Sequence, residues 1–352
     1  MKKRLWIEGE LYSGKGEGAF FTHLDWVRRQ MQEKIGFDPY PGTVNIRVPT
    51  EELFFLKQLS AEGERLIPPD PQFCEARVMK AKIEGLPAAA IFPAEDVWIY
   101  KDSLELMAPT CIRDALKIRD GDIVKVELER SFEPRAVIFD LDGTIIDSFE
   151  VYCVGINETF RRVGLTEVSK ETVKEVMRLG KNPWEVLMPQ NLPDREALIT
   201  KCKEIAEEFF LPLYRERARL FPEVMPVLEA LYEKGLKLAL VTSGWEEEGE
   251  IRELLKKGGV LGFLKEIVTR FDVVRQKPAP DPLIECCKRL GVHVWDSVYV
   301  GDALADIQMG KAAKAATVGV LTGVGTREDF LQEEADAIIE DLSGLISILE
   351  VR

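Results

Sequence analysis

The chain has 352 residues, 46% hydrophobic and 31% charged, a balance that fits two packed domains and leaves no long stretch to disorder. Its formal net charge is −14, with 28 basic against 39 acidic residues after Arg130, which argues against nonspecific binding to nucleic acid or to an anionic membrane surface. Six cysteines without Cys-x-x-Cys spacing, and two histidines, His23 and His293, make a disulfide framework, a zinc site or a Ser-His-Asp triad poor hypotheses. No segment reaches the length of a spanning helix, and the opening Met-Lys-Lys-Arg runs into Leu5-Trp-Ile-Glu instead of a long apolar core. A cytoplasmic protein is expected.

Residues 1 to about 130 read as a domain of short strands: Leu5–Tyr12, Thr43–Val48, Cys74–Ile83, Ala88–Phe92 and Ile123–Leu128. Helical patterns are expected mainly at Thr22–Ile35 and Ala108–Leu116. Many short strands with few helices suggest a small closed β-barrel. Two stretches look chemical. Ser13-Gly-Lys-Gly-Glu-Gly18 is a glycine-rich loop able to bring successive amides close to phosphates, without the Gly-Lys-Ser/Thr of a Walker loop. In Gly36-Phe-Asp-Pro-Tyr-Pro-Gly-Thr-Val-Asn45, alternation sets Thr43 and Asn45 on one face of a strand, where neutral oxygens suit a magnesium ion already bridged by nucleotide phosphates.

Together these stretches resemble the archaeal CTP-dependent riboflavin kinases, which have a Gly-x-Gly-x-Gly loop before an aromatic pair and a Gly-Phe-x-Pro-Tyr-x-Gly-Thr-Leu-Asn motif. The likeness continues through Leu104-Glu-Leu-Met-Ala-Pro109, Arg113 and Asp120-Gly-Asp-Ile-Val-Lys125. It implies a six-stranded barrel, Thr43 and Asn45 as magnesium ligands, and the loop of Gly14, Lys15, Gly16, Glu17 and Gly18 around the triphosphate of CTP, next to the pair Phe20-Phe21. This sequence has Phe-Phe where the family would show Tyr-Phe, and Gln58–Phe73 is longer than the family's connection. Glu105 is the candidate catalytic base.

Ser131-Phe-Glu-Pro-Arg135 is a short link to a second domain, residues 131–352. The stretch Ala136-Val-Ile-Phe-Asp-Leu-Asp-Gly-Thr144 is an apolar run ending in two carboxylates, the pattern of a buried parallel strand that delivers Asp140 and Asp142 to the open edge of a sheet. Gly143 allows a sharp turn, and Thr144 offers a hydroxyl and an amide to phosphate oxygens. Helices at Ser148–Val163, Lys170–Leu179 and Asp194–Arg219 then fill some 70 residues, too many for a plain strand-helix unit, and read as an inserted cap. The sheet pattern resumes with the strand Leu236–Gly244, ending in Thr242 and Ser243. Lys277 follows in Gln276-Lys-Pro-Ala-Pro-Asp281, and Ser297-Val-Tyr-Val-Gly-Asp-Ala-Leu-Ala-Asp306 repeats the strand-into-aspartate design.

Four motifs in this order resemble the haloacid dehalogenase superfamily of phosphohydrolases, with core at 135–148 and 220–352 and a helical cap at about 149–219. The resemblance implies an α/β fold with a Rossmann-like parallel sheet. It makes Asp140 the nucleophile that forms an aspartyl-phosphate, and Asp142 the acid that protonates the leaving oxygen and later activates water. Thr242 would hydrogen-bond the transferring phosphoryl group and Lys277 would balance its charge. Asp302 would ligate magnesium with Asp140 and the carbonyl of Asp142, and Asp306 either joins them or orients the site. Asp142 separates the chain from true dehalogenases. Arg178, Asn182, Trp184 and Trp245 are candidates for lining the cap or the entrance, and Trp184 fits a core position equally well.

The fusion suggests a bifunctional flavin-metabolism enzyme: a magnesium-dependent phosphatase of a small phosphorylated metabolite joined to a kinase that converts riboflavin and CTP to FMN and CDP. A second reading makes the barrel a non-catalytic flavin- or nucleotide-binding sensor that regulates a phosphatase of the phosphoglycolate type.

Overall fold

The computed structural model describes residues 4–14, 18–49, 56, 59–93, 103–129, 133–179, 182–244 and 248–350. Contacts divide the chain into two compact units, Lys2–Phe132 and Glu133–Arg352. Lys15, Gly16, Glu17 and Trp245 lie outside the described residues.

The first unit is an antiparallel sheet of seven strands: β1 (Arg4–Tyr12), β2 (Val44–Arg47), β3 (Glu64–Leu66), β4 (Ala76–Ile83), β5 (Leu86–Pro93), β6 (Ser103–Met107) and β7 (Ile123–Glu129). Their order is β3-β4-β5-β6-β2-β1-β7, and β7 pairs also with β4, with Lys82 opposite Glu127. Alternation turns Val78, Ala89, Ile91 and Met107 inward, where they bury the helix Asp25–Lys34 through Val27 and Met31. The helical pattern read at Thr22–Ile35 is broken in two, because Leu24 takes extended dihedrals between Gly18–Thr22 and Asp25–Lys34. The expected helix from Ala108 starts only at Ile112, since Pro109 disfavours a helical residue before it. Short β3 and β6 carried no clear alternating signal.

The second unit is built on a six-stranded parallel sheet: β8 (Ala136–Phe139), β11 (Lys237–Val241), β12 (Leu264–Val268), β13 (Ser297–Gly301), β14 (Ala316–Val320) and β15 (Ala337–Ile339), in the order β12-β11-β8-β13-β14-β15. All four residues of β8 are fully buried, as a central strand covered on both faces requires. Between β8 and β11 run the helices Phe149–Arg162, Lys170–Arg178, Pro183–Leu187 and Arg195–Arg217. They bury a core of their own around Phe160, Met188, Ile199 and Cys202. The long helix stops at Arg217, two residues short of the expectation, because Arg219–Leu220 (β10) pairs antiparallel with Ile146–Asp147 (β9). Among the described residues no helix is long and apolar enough to cross a membrane.

Candidate active sites

In the second unit, the candidate site is built at the end of the central strand. Phe139 lies opposite Leu240 on one side and Val300 on the other, so three parallel strands end together, running on into Asp140, Thr242 and Asp302. Gly143 reverses the chain after Asp142 with φ +75°, and a Cβ there would sit 2.5 Å from Asp302 Oδ2. Only glycine satisfies both the dihedral and the space.

Carboxylate oxygens of Asp140, Asp302 and Asp306 lie within 4.8 Å of one another, all buried. Lys277 Nζ donates to Asp140 Oδ1 at 2.5 Å and to Asp306 Oδ1 at 2.8 Å. Asp306 is further held by Tyr299 Oη, donating at 3.2 Å, and by Ala303 N–H, donating to Oδ2 at 2.9 Å. Asp302 Oδ2 accepts from Val324 N–H at 2.8 Å. Burial lifts the Asp140 carboxyl to about 7 against the opposing pull of Lys277, with the charges of Asp306 and Asp142 adding to the rise. Burial pushes Asp302 well above the ordinary carboxylate range, and the charges of Asp140 and Asp306 push it further. Burial works against a charged Lys277, but Asp140 and Asp306 more than compensate and hold it above its ordinary value. Three acids facing one lysine form a site short of positive charge, with a donor set of hard oxygens that suits a divalent cation.

The hydroxyls of Thr144 and Ser243 are buried and have no hydrogen-bond partner among the described residues. Both stand just beyond the ends of β8 and β11, and such orphaned groups at a sheet edge fit phosphate oxygens. Thr242 Oγ1 already accepts from Gly244 N–H at 3.0 Å, which orients it.

The carboxylate of Asp142 does not join the cluster. Its Oδ1 accepts from Tyr214 Oη at 2.6 Å and its Oδ2 from Tyr152 Oη at 3.3 Å. Burial raises Asp142, while hydrogen bonds from Ser148, Tyr214 and Tyr152 act to keep it charged. In the helical insert, Arg178, Asn182 and Trp184, expected to line the cap or, for Trp184 equally, to fill a core position, have the following partners. Arg178 is spent on Glu175 and on Asp329, whose Oδ1 lies 2.5 Å from its Nη1. Asn182 caps a helix, accepting from Trp184 N–H at 3.0 Å. Trp184 packs on Phe160, ring centroids 6.1 Å apart.

In the first unit, Asn45 on β2 is opposite Tyr12 on β1 and Glu105 on β6, so the three side chains share one face. Gly14 and Gly18, the two described glycines of the glycine-rich stretch, approach Asn45 and Thr43. A Cβ at Gly14 would meet Asn45 Nδ2 at 2.6 Å, and one at Gly18 would meet Thr43 Oγ1 at 2.2 Å. The base of the loop is tied down by Asp120, which accepts from Ser13 N–H at 3.1 Å and pairs with Arg113 at 2.6 Å. Arg113 Nη2 in turn donates to the Tyr12 carbonyl at 3.1 Å. Beyond the loop, Phe20 and Phe21 stand edge to face, 5.5 Å apart, and Phe20 stacks at 6.4 Å on Phe73 from the long connection.

A family model described as haloacid dehalogenase-like hydrolase matches residues 137–320, more than half of the chain. The chain belongs to the haloacid dehalogenase-like hydrolases. A relative from this side is the phosphoglycolate phosphatase of Escherichia coli, 27% identical over an alignment of 239 residues that covers 61% of this chain and 92% of that protein. A haloacid dehalogenase-like family hydrolase from Streptococcus pneumoniae shares the fold, with a TM-score of 0.53 at 19% identity over 61% of this chain and 98% of its own. A second family model, named for CTP-dependent riboflavin kinase and described as a domain of unknown function, matches residues 11–128. The riboflavin kinase of Archaeoglobus fulgidus is 40% identical over 126 residues, 35% of this chain and 54% of that protein. The chain therefore spans only about half the length of that relative.

Sequence reading missed Tyr152, Tyr214, Tyr299 and the Thr322–Gly325 loop of this hydrolase. Thr322 Oγ1 donates to the Gly143 carbonyl at 2.6 Å, and Gly325 N–H donates to the Asp302 carbonyl at 2.8 Å, so one loop clasps both aspartate motifs. Its Gly-Val-Gly composition was the one signal available, and without a strand assignment for Ala316–Val320 it pointed nowhere.

Proposed function

We propose that the chain is a bifunctional enzyme of flavin metabolism. Residues 131–352 are a phosphomonoester hydrolase with core 135–148 and 220–352 and cap 149–219. Residues 1–130 form a riboflavin kinase whose ring of pairings, β4-β5-β6-β2-β1-β7 and back to β4, is a closed six-stranded barrel. The observation that carries the hydrolase reading is the convergence of Asp140, Asp302 and Asp306 on Lys277 at the end of the central strand.

In this reading Asp140 attacks phosphorus through Oδ2, because Oδ1 is engaged by Lys277, and the P–O bond to the alcohol breaks as the aspartyl-phosphate forms. Asp142 delivers a proton to the leaving oxygen and then takes one from the water that attacks phosphorus and releases Asp140. Lys277, Thr242, Thr144 and Ser243 surround the phosphoryl oxygens. Asp140, Asp302 and the Asp142 carbonyl would hold Mg2+, with Asp306 orienting Lys277. The ion would offset the repulsion between the substrate's negative charge and the nucleophile.

On the kinase side, Thr43 and Asn45 would hold Mg2+ against the CTP phosphates under the Gly14–Gly18 loop, Phe20 and Phe21 would flank the ligand, and Glu105 would accept the proton of the riboflavin hydroxyl. The register that sets Glu105 beside Asn45 supports this. Two assays test the proposal. Asp140→Asn is expected to abolish phosphate release from p-nitrophenyl phosphate in the presence of Mg2+. Riboflavin with CTP and Mg2+ is expected to give FMN, and ATP to give far less. Unchanged turnover by the variant defeats the hydrolase assignment, and flavin binding without FMN from either nucleotide defeats the kinase in favour of a sensor.

A further inference from the structure

Asp142 is gripped from outside the sheet. The helical insert leaves the core after β9 and returns through β10, and the ladder between these strands sets Asp147 opposite Arg219. Tyr152 stands five residues after Asp147, and Tyr214 five residues before Arg219. Each therefore lies little more than one helical turn from the ladder, on the two helices that flank it.

These helices pack closely. Gly155 faces Phe210, where an added Cβ would lie 3.0 Å from the ring. Phe210 sits between the two tyrosines, its centroid 5.1 Å from Tyr152 and 6.0 Å from Tyr214. Tyr214 is among the largest fully enclosed side chains of the described residues, so its hydroxyl has little freedom to go elsewhere. The result is a carboxylate with one oxygen fixed by each flanking helix, at 2.6 Å from Tyr214 and 3.3 Å from Tyr152, alongside the hydrogen bond from Ser148 just before the first of these helices. A buried tyrosine hydroxyl needs a hydrogen-bond partner, and here that partner is a carboxylate 72 positions away, at the end of the central strand.

We propose that Tyr214, seconded by Tyr152, is the positioning residue for Asp142, and that the insert thereby sets the proton donor for the leaving oxygen. The proposal rests on the hydrolase reading, in which Asp142 is that donor. It makes the two entry and exit helices part of the catalytic geometry, apart from any contact they make with substrate.

The test separates proton donation from fold. In the full-length protein, kcat/KM reports the steps up to departure of the leaving group, and p-nitrophenolate departs without a proton where an alkoxide needs one. Tyr214→Phe is expected to lower kcat/KM for an alkyl phosphate such as glycerol 3-phosphate by about tenfold, and that for p-nitrophenyl phosphate by less than about twofold. Tyr152→Phe should show the same selectivity more weakly, in keeping with its longer hydrogen bond, and it decides the matter if Tyr214→Phe does not fold. An equal loss on both substrates, or no loss, overturns the role of the tyrosines. Asp142→Asn is the reference: if it is selective and Tyr214→Phe is not, only the positioning role falls. If Asp142→Asn itself shows no selectivity, the proton-donor reading falls and takes the positioning role with it.

Discussion

Asp329 ties the helical insert to the loop that clasps both aspartate motifs. Its backbone N–H donates to Thr326 Oγ1 and its Oδ2 accepts from Thr326 N–H at 3.0 Å, while its Oδ1 holds Arg178 of the insert. Burial opposes its charge, but the hydrogen bonds from Arg178 and Thr326 outweigh that and hold Asp329 below the ordinary 3.8. A carboxylate depressed in the folded state contributes stability above its unfolded value, and that contribution is lost as pH falls through the folded value. Asp329→Ala should therefore cost about 1–3 kcal/mol at pH 7 by urea unfolding, with the gap to wild type shrinking as the pH drops below about 4. A gap that is constant with pH would assign the loss to packing instead. Gly143 makes a different demand. Gly143→Ala puts a methyl against Asp302 at a left-handed dihedral, and phosphatase activity should fall at least tenfold, which steady-state kinetics would register.

At the scale of elements, β8 supports everything the hydrolase does. Phe139→Ala opens a cavity in a strand buried at all four residues and should destabilise the second unit by about 3–5 kcal/mol, read from its denaturation midpoint. This strand was legible in the sequence because an apolar run cut off by Asp-x-Asp fits the end of a buried strand and little else. The strands ending at Thr242 and Asp302 were legible for the same reason, and Lys277 stood out through its flanking prolines. Tyr214 was not legible, since helical periodicity at 195–217 says which residues face inward but not that a hydroxyl meets a carboxylate from another element. Trp184 and Arg178 drew attention by chemistry; Trp184 packs on Phe160, in keeping with the core alternative, and Arg178 pairs with Asp329. Glu105 was a candidate by residue type alone, and only the register of β2 with β6 sets it beside Asn45. Long-range convergence of this kind leaves no local periodic trace.

For the whole molecule, the two units bring together separate sets of residues, so their chemistries should be lost separately. Asn45→Ala is expected to remove CTP-dependent phosphorylation of riboflavin and leave p-nitrophenyl phosphate hydrolysis within about twofold of wild type, with Asp140→Asn doing the reverse. Loss of both activities in either variant would show that the halves depend on each other. Asp140 is the residue proposed to take the phosphoryl group. Borohydride added during turnover of p-nitrophenyl phosphate reduces an aspartyl-phosphate to homoserine, and peptide mass spectrometry locates it. Homoserine is expected at position 140, and none when substrate is omitted. Homoserine at another aspartate, or no trapping during active turnover, would contradict that role.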